Sequence, residues 1–468
     1  MADKQSGTTL TSRPVSQPTS GPTSSPTSVP ASGVTPAQAN YALVIFLLAY
    51  ILSFVDRQIL SLMVDPIRRD LDISDLQMGL LQGMAFALLY AVAGVPIGLL
   101  ADRLQRKRII AAGVLFWSAA TALCGLAGNY ALLFAARMGV GLGEAALSPA
   151  AHSYLSDAYP RPKLARAMAV YALGITIGAG AALMIGGKVV DLIAFSGDVT
   201  LPLLGTLRPW QATFLLVASP GIVVALLVAM IREPRRASLN STGSAPEASG
   251  ILPLLAHLRR HARVFISIYL SSCALGIMGY GMSAWYPTLL IRSFGLTPGE
   301  AGWHLGLVFL VLGSAGSIGG GLLAERMALR GRFDANLRVV ALTTLAVAVP
   351  AICAPLMPSA LLVVLMFAPA CFFFHAYFGC SVAALQLATP NRMRATNAAL
   401  FLLANSLVGL SIGTAVVPLI NAVLFDGMSD LGPSLAVVAA FSTVTGAMFA
   451  FSGLKAYGKL VLDNAEAA

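Results

Sequence analysis

The sequence predicts an all-α integral membrane protein in which twelve transmembrane helices form two six-helix bundles. Hydrophobic residues make up 57% of the 468-residue chain and charged residues only 11%, whereas an average soluble domain carries roughly 25% charged residues. Twelve apolar segments are each long enough to cross a bilayer, and positive charge alternates between the loops that join them. The mean hydropathy of +0.79 agrees with this interpretation.

The predicted spans follow one another closely, apart from one long polar interruption. A spanning helix needs about 20 mostly apolar residues, and the segments that meet this length are 41–64, 76–100, 108–127, 130–155, 165–187, 210–231, 263–291, 301–323, 337–357, 359–387, 395–423 and 433–457. The polar segment 232–262 separates them, so we expect an N-terminal bundle at 39–231 and a C-terminal bundle at 263–460.

Both ends of the chain are predicted to lie outside the bundles. Residues 1–38 are rich in Ser, Thr and Pro, and they lack the apolar region of a signal peptide. This composition predicts a disordered tail. Residues 461–468 are expected to form a short C-terminal tail.

Basic residues concentrate in the loops that follow even-numbered spans, including 98–108 and 159–167. The basic residues of the remaining loops and span ends are Arg68, Arg69, Lys188, Arg208 and Arg292. Loops rich in Lys and Arg stay on the cytoplasmic side of a membrane. We therefore expect the loops after even-numbered spans, and both termini, to be cytoplasmic.

The two halves of the chain resemble each other. "GLLADRLQRKR" (98–108) follows the second span and "GLLAERMALRGR" (321–332) follows the eighth. "YPRPKLARA" (159–167) follows the fourth span and "TPNRMRA" (389–395) follows the tenth, at a similar offset. Repeated six-helix halves are typical of transporters, whose substrate site lies near the midplane between the halves.

Five charged residues stand out in the predicted spans: Asp56 and Arg57 in the first, Arg137 and Glu144 in the fourth, and Lys188 near the end of the fifth. Each such charge costs at least roughly 2.5–3.5 kcal/mol, so charges in spans are rare and usually functional. The span interiors of the second half contain no acid. Asp56 and Glu144 are therefore the main candidates for accepting protons.

Arg137 and Glu144 are two helical turns apart and share a helix face, about 10 Å apart along the axis. We expect Asp56 to be the partner of Arg137. A low dielectric favours a neutral carboxyl group, whereas a nearby arginine favours its charged form. Movement of Asp56 relative to Arg137 would then couple protonation to a conformational equilibrium. The alternative is a static buried ion pair that fixes helix register.

A second group of charges is predicted to form a cytoplasmic gate, and its members are Asp102, Arg103, Arg106, Asp157 and Arg166. Asp102 is expected near the N-terminus of the eleventh span, where the helix dipole favours an anion. Such a network would join the halves when the cavity faces outward and break when it faces inward. Alternatively, the basic residues only orient the loops.

The candidates for substrate binding are Arg57, Tyr280, Trp285 and His375. Arginine suits phosphate because its planar guanidinium donates two parallel hydrogen bonds; this applies to Arg57 and also to Arg137. Tyr280, Trp285 and the segment "FFFHAYF" (372–378) offer aromatic surface. These aromatic residues are alternatively packing or lipid-facing groups, and His375 is alternatively hydrogen-bonded inside its bundle.

The composition excludes other classes of function. The net charge of +10 is explained by the basic loops rather than by a nucleic-acid partner. The histidines are scattered and the five cysteines lie in apolar stretches, so we expect no metal site, no cofactor and no enzymatic activity.

Several motifs resemble those of the major facilitator superfamily. "GLLADRLQRKR" (98–108) is similar to its signature loop, and "RMGVGLGEA" (137–145) to its fourth-helix motif. The glycine-and-proline motif of drug/proton antiporters is incomplete, because "ALGITIGAGAALMIGG" (172–187) contains no proline. The Asp-Arg pair of the first span and "AWYPTLLIR" (284–292) resemble the Spinster branch of the superfamily.

The resemblance implies the major facilitator fold and a function. Spinster relatives are thought to export lysophospholipids or sphingosine phosphate. In bacterial members a first-helix Asp and a fourth-helix Arg and Glu are implicated in proton-driven switching, and these residues correspond to Asp56, Arg137 and Glu144. We therefore expect a monomeric, proton-coupled transporter in a bacterial inner (plasma) membrane, in contact with membrane lipid. It would move a lysolipid or another amphipathic anion by rocking its two bundles. The alternative is a proton symporter of a small organic anion.

Overall fold

The computed structural model describes residues 33–202, 205–235, 251–390, 393–428 and 430–466. In this part of the chain twelve helical segments are long and apolar enough to cross a membrane, which confirms the predicted fold class. They are Pro36–Leu62, Asp75–Gly94, Arg106–Gly125, Tyr130–Ala158, Arg166–Ser196, Pro209–Ala229, Ala262–Phe294, Pro298–Leu329, Ala335–Leu356, Ala360–Ala388, Thr396–Leu424 and Gly432–Asn464, called spans 1 to 12 below.

Many spans consist of more than one helix. The elements of the N-terminal half are α1 (Pro36–Gln58), a 3-10 turn (Ile59–Leu62), α2 (Val64–Leu71), α3 (Asp75–Gln82), α4 (Met84–Arg103), α5 (Arg106–Gly125), α6 (Tyr130–Glu144), α7 (Leu147–Ala158), α8 (Arg161–Ser196), β1 (Val199–Leu201), β2 (Gly205–Leu207), α9 (Pro209–Ala218) and α10 (Pro220–Ala229). The two short strands pair antiparallel in the loop between spans 5 and 6.

The C-terminal half contains two π-helical segments within spans. Its elements are α11 (Ile251–Arg260), α12 (Ala262–Phe294), α13 (Pro298–Val308), a π-helix (Phe309–Gly313), α14 (Ser314–Leu329), α15 (Ala335–Cys353), a 3-10 turn (Ala354–Leu356), α16 (Ala360–Ala388), α17 (Arg394–Ala404), a π-helix (Asn405–Leu410), α18 (Ser411–Leu424) and α19 (Gly432–Glu466).

The predicted boundaries need three corrections. Helix α1 begins at Pro36, inside the predicted tail, because Thr35 and Gln38 form a capping box and proline suits the first helical position. Helix α19 continues to Glu466, and α11 occupies part of the predicted loop 232–262. The remainder of the predicted N-terminal tail, 1–32, and the loop segment 236–250 lie outside the described residues.

The described contacts between the two halves of the molecule include several on one side. We call it the odd-loop side, because it carries the loops that follow odd-numbered spans; the opposite side is the basic-loop side. Contacts between the halves include Gln58 with Ser283 at 3.0 Å and Thr414 with the oxygen of Gly79 at 2.7 Å. A hydrogen bond between Thr176 and Ser314 lies near the middle of spans 5 and 8.

Glycines close the seam between spans 5 and 8. A side-chain Cβ at Gly302 would lie 2.2 Å from the oxygen of Leu183, and one at Gly180 would lie 2.6 Å from the oxygen of Gly306. Small residues allow helix backbones to approach this closely in a membrane. Asp191 of span 5 reinforces the seam, because its carboxylate accepts hydrogen bonds from Thr297 and the amide of Gly299 at 3.0 Å.

Candidate functional site

An ion pair between spans 1 and 4 forms the centre of the site. Arg57 Nε donates to Glu144 Oε2 at 2.7 Å, and Arg57 Nη2 donates to the same oxygen. The Glu144 side chain is only 1% exposed, whereas that of Arg57 is 25% exposed. The anion of the pair is therefore buried, whereas part of its cation remains exposed.

Aromatic rings surround the Arg57 guanidinium. Its central carbon lies 4.4 Å from the ring centre of Phe86, 5.2 Å from that of Phe54 and 5.4 Å from that of Tyr90. A cation near the face of an aromatic ring is attracted to it electrostatically. These rings and Glu144 therefore hold Arg57 in a fixed position.

Asp56 and Arg137 lie next to each other, but not as predicted. Both are 1% exposed, and Arg137 Nη1 donates to the main-chain oxygen of Asp56 at 3.0 Å. No side chain among the described residues forms a hydrogen bond with Asp56 Oδ1. Arg137 thus contacts residue 56 through its backbone, and the carboxylate–guanidinium pair of the site is Arg57–Glu144.

Tyr280 is the predicted substrate residue that the structure places with Arg57. It lies in the middle of span 7, yet it is 38% exposed, and it is close enough to Arg57 and Tyr50 to interact electrostatically. Tyr280 therefore faces the space between the halves. This arrangement brings one residue of each half to the same site.

Trp285 and His375 lie away from Arg57 in this conformation. Trp285 is fully buried, and its Nε1 donates to the oxygen of Thr414 at 2.7 Å. His375 is half-buried inside the C-terminal bundle, where its Nδ1 lies 2.9 Å from the oxygen of Cys371. Both side chains have partners within their own half.

The predicted cytoplasmic gate is only partly assembled. Arg106 is buried and donates to Glu233 at 2.9 Å, to the oxygen of Ser153 at 2.8 Å and to Asp157. Arg103 and Arg166 are exposed, and the side chain of Asp102 lies outside the described part of the chain. The described network therefore stays within the N-terminal half. Glu233, in the polar segment after span 6, is a member that sequence reasoning missed.

A charged clamp joins the halves on the odd-loop side. Arg292, at the end of span 7, donates to Asp65 at 2.7 Å and to Asp75 at 2.8 Å. Arg68 also pairs with Asp75, at 3.1 Å. Sequence reasoning missed this clamp, although Arg292 is one of the few basic residues on its side. The clamp and the seam between spans 5 and 8 keep this side closed.

Arg292→Gln is expected to shift the protein towards opening on the odd-loop side. Two carboxylates would lose their shared cation, and a conformational equilibrium responds to any contact made in only one state. The shift is measurable as a longer distance between spin labels at Gly128 and Met428, which lie on that side of the two halves. Arg330→Gln, at an exposed site near the basic-loop side, is the control. Unchanged distances in Arg292→Gln would contradict a clamping role.

Among the described residues, no group of three or more His, Cys, Asp or Glu side chains is placed to hold a metal ion. The described part of the site instead consists of an ion pair, buried charges and aromatic rings.

Comparison with known proteins shows which family this chain matches. The sequence profile of the Major Facilitator Superfamily matches residues 46–414. The chain is 28% identical to the "MFS-type efflux pump" of Mycolicibacterium smegmatis, over 92% of this chain and 96% of that protein. It is 26% identical to the "Probable galactarate/D-glucarate transporter GudP" of Bacillus subtilis, over 64% and 69%.

Spinster proteins are also similar to this chain. The "Sphingosine-1-phosphate transporter SPNS2" of Danio rerio is 26% identical, over 52% of this chain and 46% of that protein. The crystal structure of a bacterial homologue of the human lysosomal transporter Spinster, inward-facing and unoccupied, superposes with a TM-score of 0.75. That match has 26% identity and covers 92% of this chain and 99% of the other.

Proposed function

The chain belongs to the Major Facilitator Superfamily, and on that premise we propose that it is a proton-coupled secondary transporter of an amphipathic anion of the lysolipid class. The observation that carries this proposal is the Arg57–Glu144 pair, whose cation is partly exposed while its anion is buried. Anion binding and protonation therefore meet at one pair of side chains.

An anionic headgroup that binds Arg57 would compete with Glu144 for the same guanidinium. Arginine binds phosphate well because its fork donates two parallel hydrogen bonds. Once Glu144 loses this partner, its buried carboxylate has no cation hydrogen-bonded to it. Uptake of a proton then removes the cost of burying an unpaired charge. Anion binding at Arg57 thus favours protonation of Glu144, and protonation of Glu144 favours anion binding.

The surroundings of Arg57 favour an amphipathic substrate. Phe54, Phe86 and Tyr90 place aromatic surface next to the cation, and Tyr280 adds a ring from the other half. A headgroup would bind the guanidinium while an apolar chain lies against the rings. The likeness to a sphingosine-1-phosphate transporter and to a Spinster homologue supports this class of substrate.

A small organic anion is the second candidate, since the chain also resembles a galactarate/D-glucarate transporter. Such a substrate would bind Arg57 through a carboxylate and would leave the rings without an apolar chain to contact. The two candidates therefore differ in the compound that binds, and both would use the same link between anion and proton.

Alternating access would proceed by rocking the two bundles. We assign the basic-loop side to the cytoplasm by its positive charge, so both termini would be cytoplasmic and the odd-loop side, which the clamp holds closed, would face outward. The clamp at Arg292 would open in the outward-facing state, and the gate predicted at Asp102, Arg103, Arg106, Asp157 and Arg166 would then close.

Binding of lysophosphatidylglycerol is expected to be accompanied by proton uptake. Its phosphodiester does not titrate near neutral pH, so a proton taken up on binding belongs to the protein. Because anion and proton bind together, the affinity rises as the pH falls. Both quantities are measurable with purified protein in nanodiscs, by calorimetry in buffers of different ionisation enthalpy.

Two controls make this measurement decisive. Arg57→Gln is expected to remove both the binding and the proton uptake, whereas Arg326→Gln, at an exposed site in the last turn of span 8, leaves both unchanged. Tight binding of D-galactarate but not of lysophosphatidylglycerol would replace the lysolipid proposal with the organic-anion alternative. Binding without any dependence on pH would contradict proton coupling.

A further inference from the structure

Five of the eight buried side-chain polar atoms that lack a hydrogen-bond partner among the described residues of the N-terminal half lie around Asp56, Arg137 and Glu144. They are Asp56 Oδ1 of span 1, Trp117 Nε1 and Thr121 Oγ1 of span 3, and Arg137 Nε and Glu144 Oε1 of span 4. A buried polar atom without a partner destabilises the folded state, so native proteins contain few of them. Five such atoms on three adjacent spans call for a common explanation.

These atoms belong to one cluster. Arg137 donates to the main-chain oxygen of Asp56 at 3.0 Å. The Thr121 hydroxyl lies beside the Asp56 carboxyl, which also interacts electrostatically with Glu144 and Arg137. Trp117 packs against the segment that carries Glu144, because a Cβ at Gly143 would lie 2.8 Å from Trp117 Cβ. Span 3 therefore runs along both carboxyl groups.

The chemistry of the cluster suits water. Trp117 Nε1 and Arg137 Nε are donors, the two carboxylate oxygens are acceptors, and the Thr121 hydroxyl is both. Buried water typically makes about three hydrogen bonds to polar groups that otherwise lack partners. A metal cation would not suit this set, because two of its five atoms carry N–H groups.

We propose that these five side chains enclose a hydrated proton site inside the N-terminal bundle, in which Trp117 and Thr121 of span 3 position water between Asp56 and Glu144. A proton would leave the carboxylic acid of one residue, pass through hydrogen-bonded water and bind the carboxylate of the other. The donor becomes a carboxylate and the acceptor a neutral acid, so charge is conserved.

This proposal rests on the proposed function and adds the route between the two carboxyl groups. Arg57 contacts the Glu144 oxygen Oε2, and the route ends at the other oxygen, Oε1. The proton would therefore reach Glu144 without entering the space where the anion binds. The further titratable or charged groups near this route are Arg57, Arg137 and Cys124.

Radiolytic footprinting tests the hydration directly and requires no substrate. Hydroxyl radicals formed from bound water oxidise the side chains next to it. Trp117 and Trp285 are both 0% exposed, but Trp285 Nε1 is satisfied by the oxygen of Thr414. We expect Trp117 in the wild-type protein to be oxidised several-fold faster than Trp285. Equal, slow oxidation of both tryptophans would overturn the proposal.

Transport tests the function of the route. Thr121→Val removes one hydroxyl while keeping the shape of the side chain, and Trp117→Phe removes one N–H together with part of the ring system. Ser118→Ala is the matched control. Ser118 is on the same helix, but it faces Gly221 of span 6. We expect the first two variants to slow proton-driven transport of fluorescent lysophosphatidylglycerol several-fold and to shift its pH profile. Exchange at equal pH on both sides should be unaffected.

The outcomes separate this proposal from the function on which it rests. Equal loss of driven transport and exchange would show a purely structural role for span 3 and overturn the route. The same loss in Ser118→Ala, or no effect of Thr121→Val and Trp117→Phe, would overturn it as well. If the wild-type protein shows no proton-driven transport, both the proposed function and the proton route are wrong. Fast oxidation of Trp117 would then show hydration of the cluster alone.

Discussion

Asp56→Asn is expected to abolish proton-driven transport while exchange of substrate across the membrane continues. The substitution keeps the size of the side chain and removes its ability to ionise at a site that is 1% exposed. Arg137 binds the main-chain oxygen of residue 56, so this contact survives in the variant. Coupling between two sites is typically worth about 1–3 kcal/mol, or roughly 5–150-fold in affinity.

The measurement compares two assays in proteoliposomes. In the first, a pH gradient drives accumulation of fluorescent lysophosphatidylglycerol; in the second, labelled and unlabelled compound exchange at equal pH. We expect Asp56→Asn to lose only the first activity. Asp463→Asn, at an exposed site near the end of α19, should retain both.

The same pair of assays separates coupling from a static role. If Asp56 only fixed helix register, its substitution would lower driven transport and exchange together, along with the amount of folded protein. A pH dependence of driven transport that matches the wild type would exclude Asp56 as a coupling residue.

The architecture could be predicted from the sequence because its signals are local. Span length depends on bilayer thickness, and each loop carries its own charge, so twelve spans in two halves followed directly. The capping box at Thr35 and Gln38 is equally local, and its signal was present in "TPAQ" (35–38).

The partners within the site could not be predicted in the same way. Asp56 and Arg57 point in different directions because adjacent helical residues are about 100° apart. Which of them meets Glu144 depends on the rotation of span 1 against span 4, which is determined by packing along the whole length of both helices. The contacts of Arg106 with Glu233, and of Arg292 with Asp65, likewise depend on loop geometry.

The structure links the two sides of the membrane through the same spans. Span 1 carries Arg57 at the site and ends close to Asp65, which pairs with Arg292. Span 7 carries Tyr280 at the site and ends at Arg292. A headgroup that draws Arg57 and Tyr280 together would therefore act on the two spans that the clamp joins. A ligand that binds one arrangement of these spans better than another shifts the equilibrium between the two arrangements.

Arg57→Gln is expected to destabilise the protein more than Glu144→Gln. Without Arg57, the Glu144 carboxylate is left buried and without its partner, whereas without Glu144 the partly exposed Arg57 retains its contacts with the aromatic rings. Removing one partner of a fully buried pair typically costs about 3–5 kcal/mol, and the 25% exposure of Arg57 lowers the cost expected for its pair. The measurement is the apparent Tm of the purified variants, by intrinsic fluorescence.

The double variant Arg57→Gln with Glu144→Gln completes the experiment. It leaves neither member of this pair charged without its partner, so its Tm should lie above that of Arg57→Gln. Protonation of Glu144 removes the buried charge, so the Tm of Arg57→Gln should rise as the pH is lowered, relative to the double variant. Additive losses in the double variant would show that the two side chains do not act as a pair. In that case an anion that binds Arg57 would have no means of changing the protonation of Glu144.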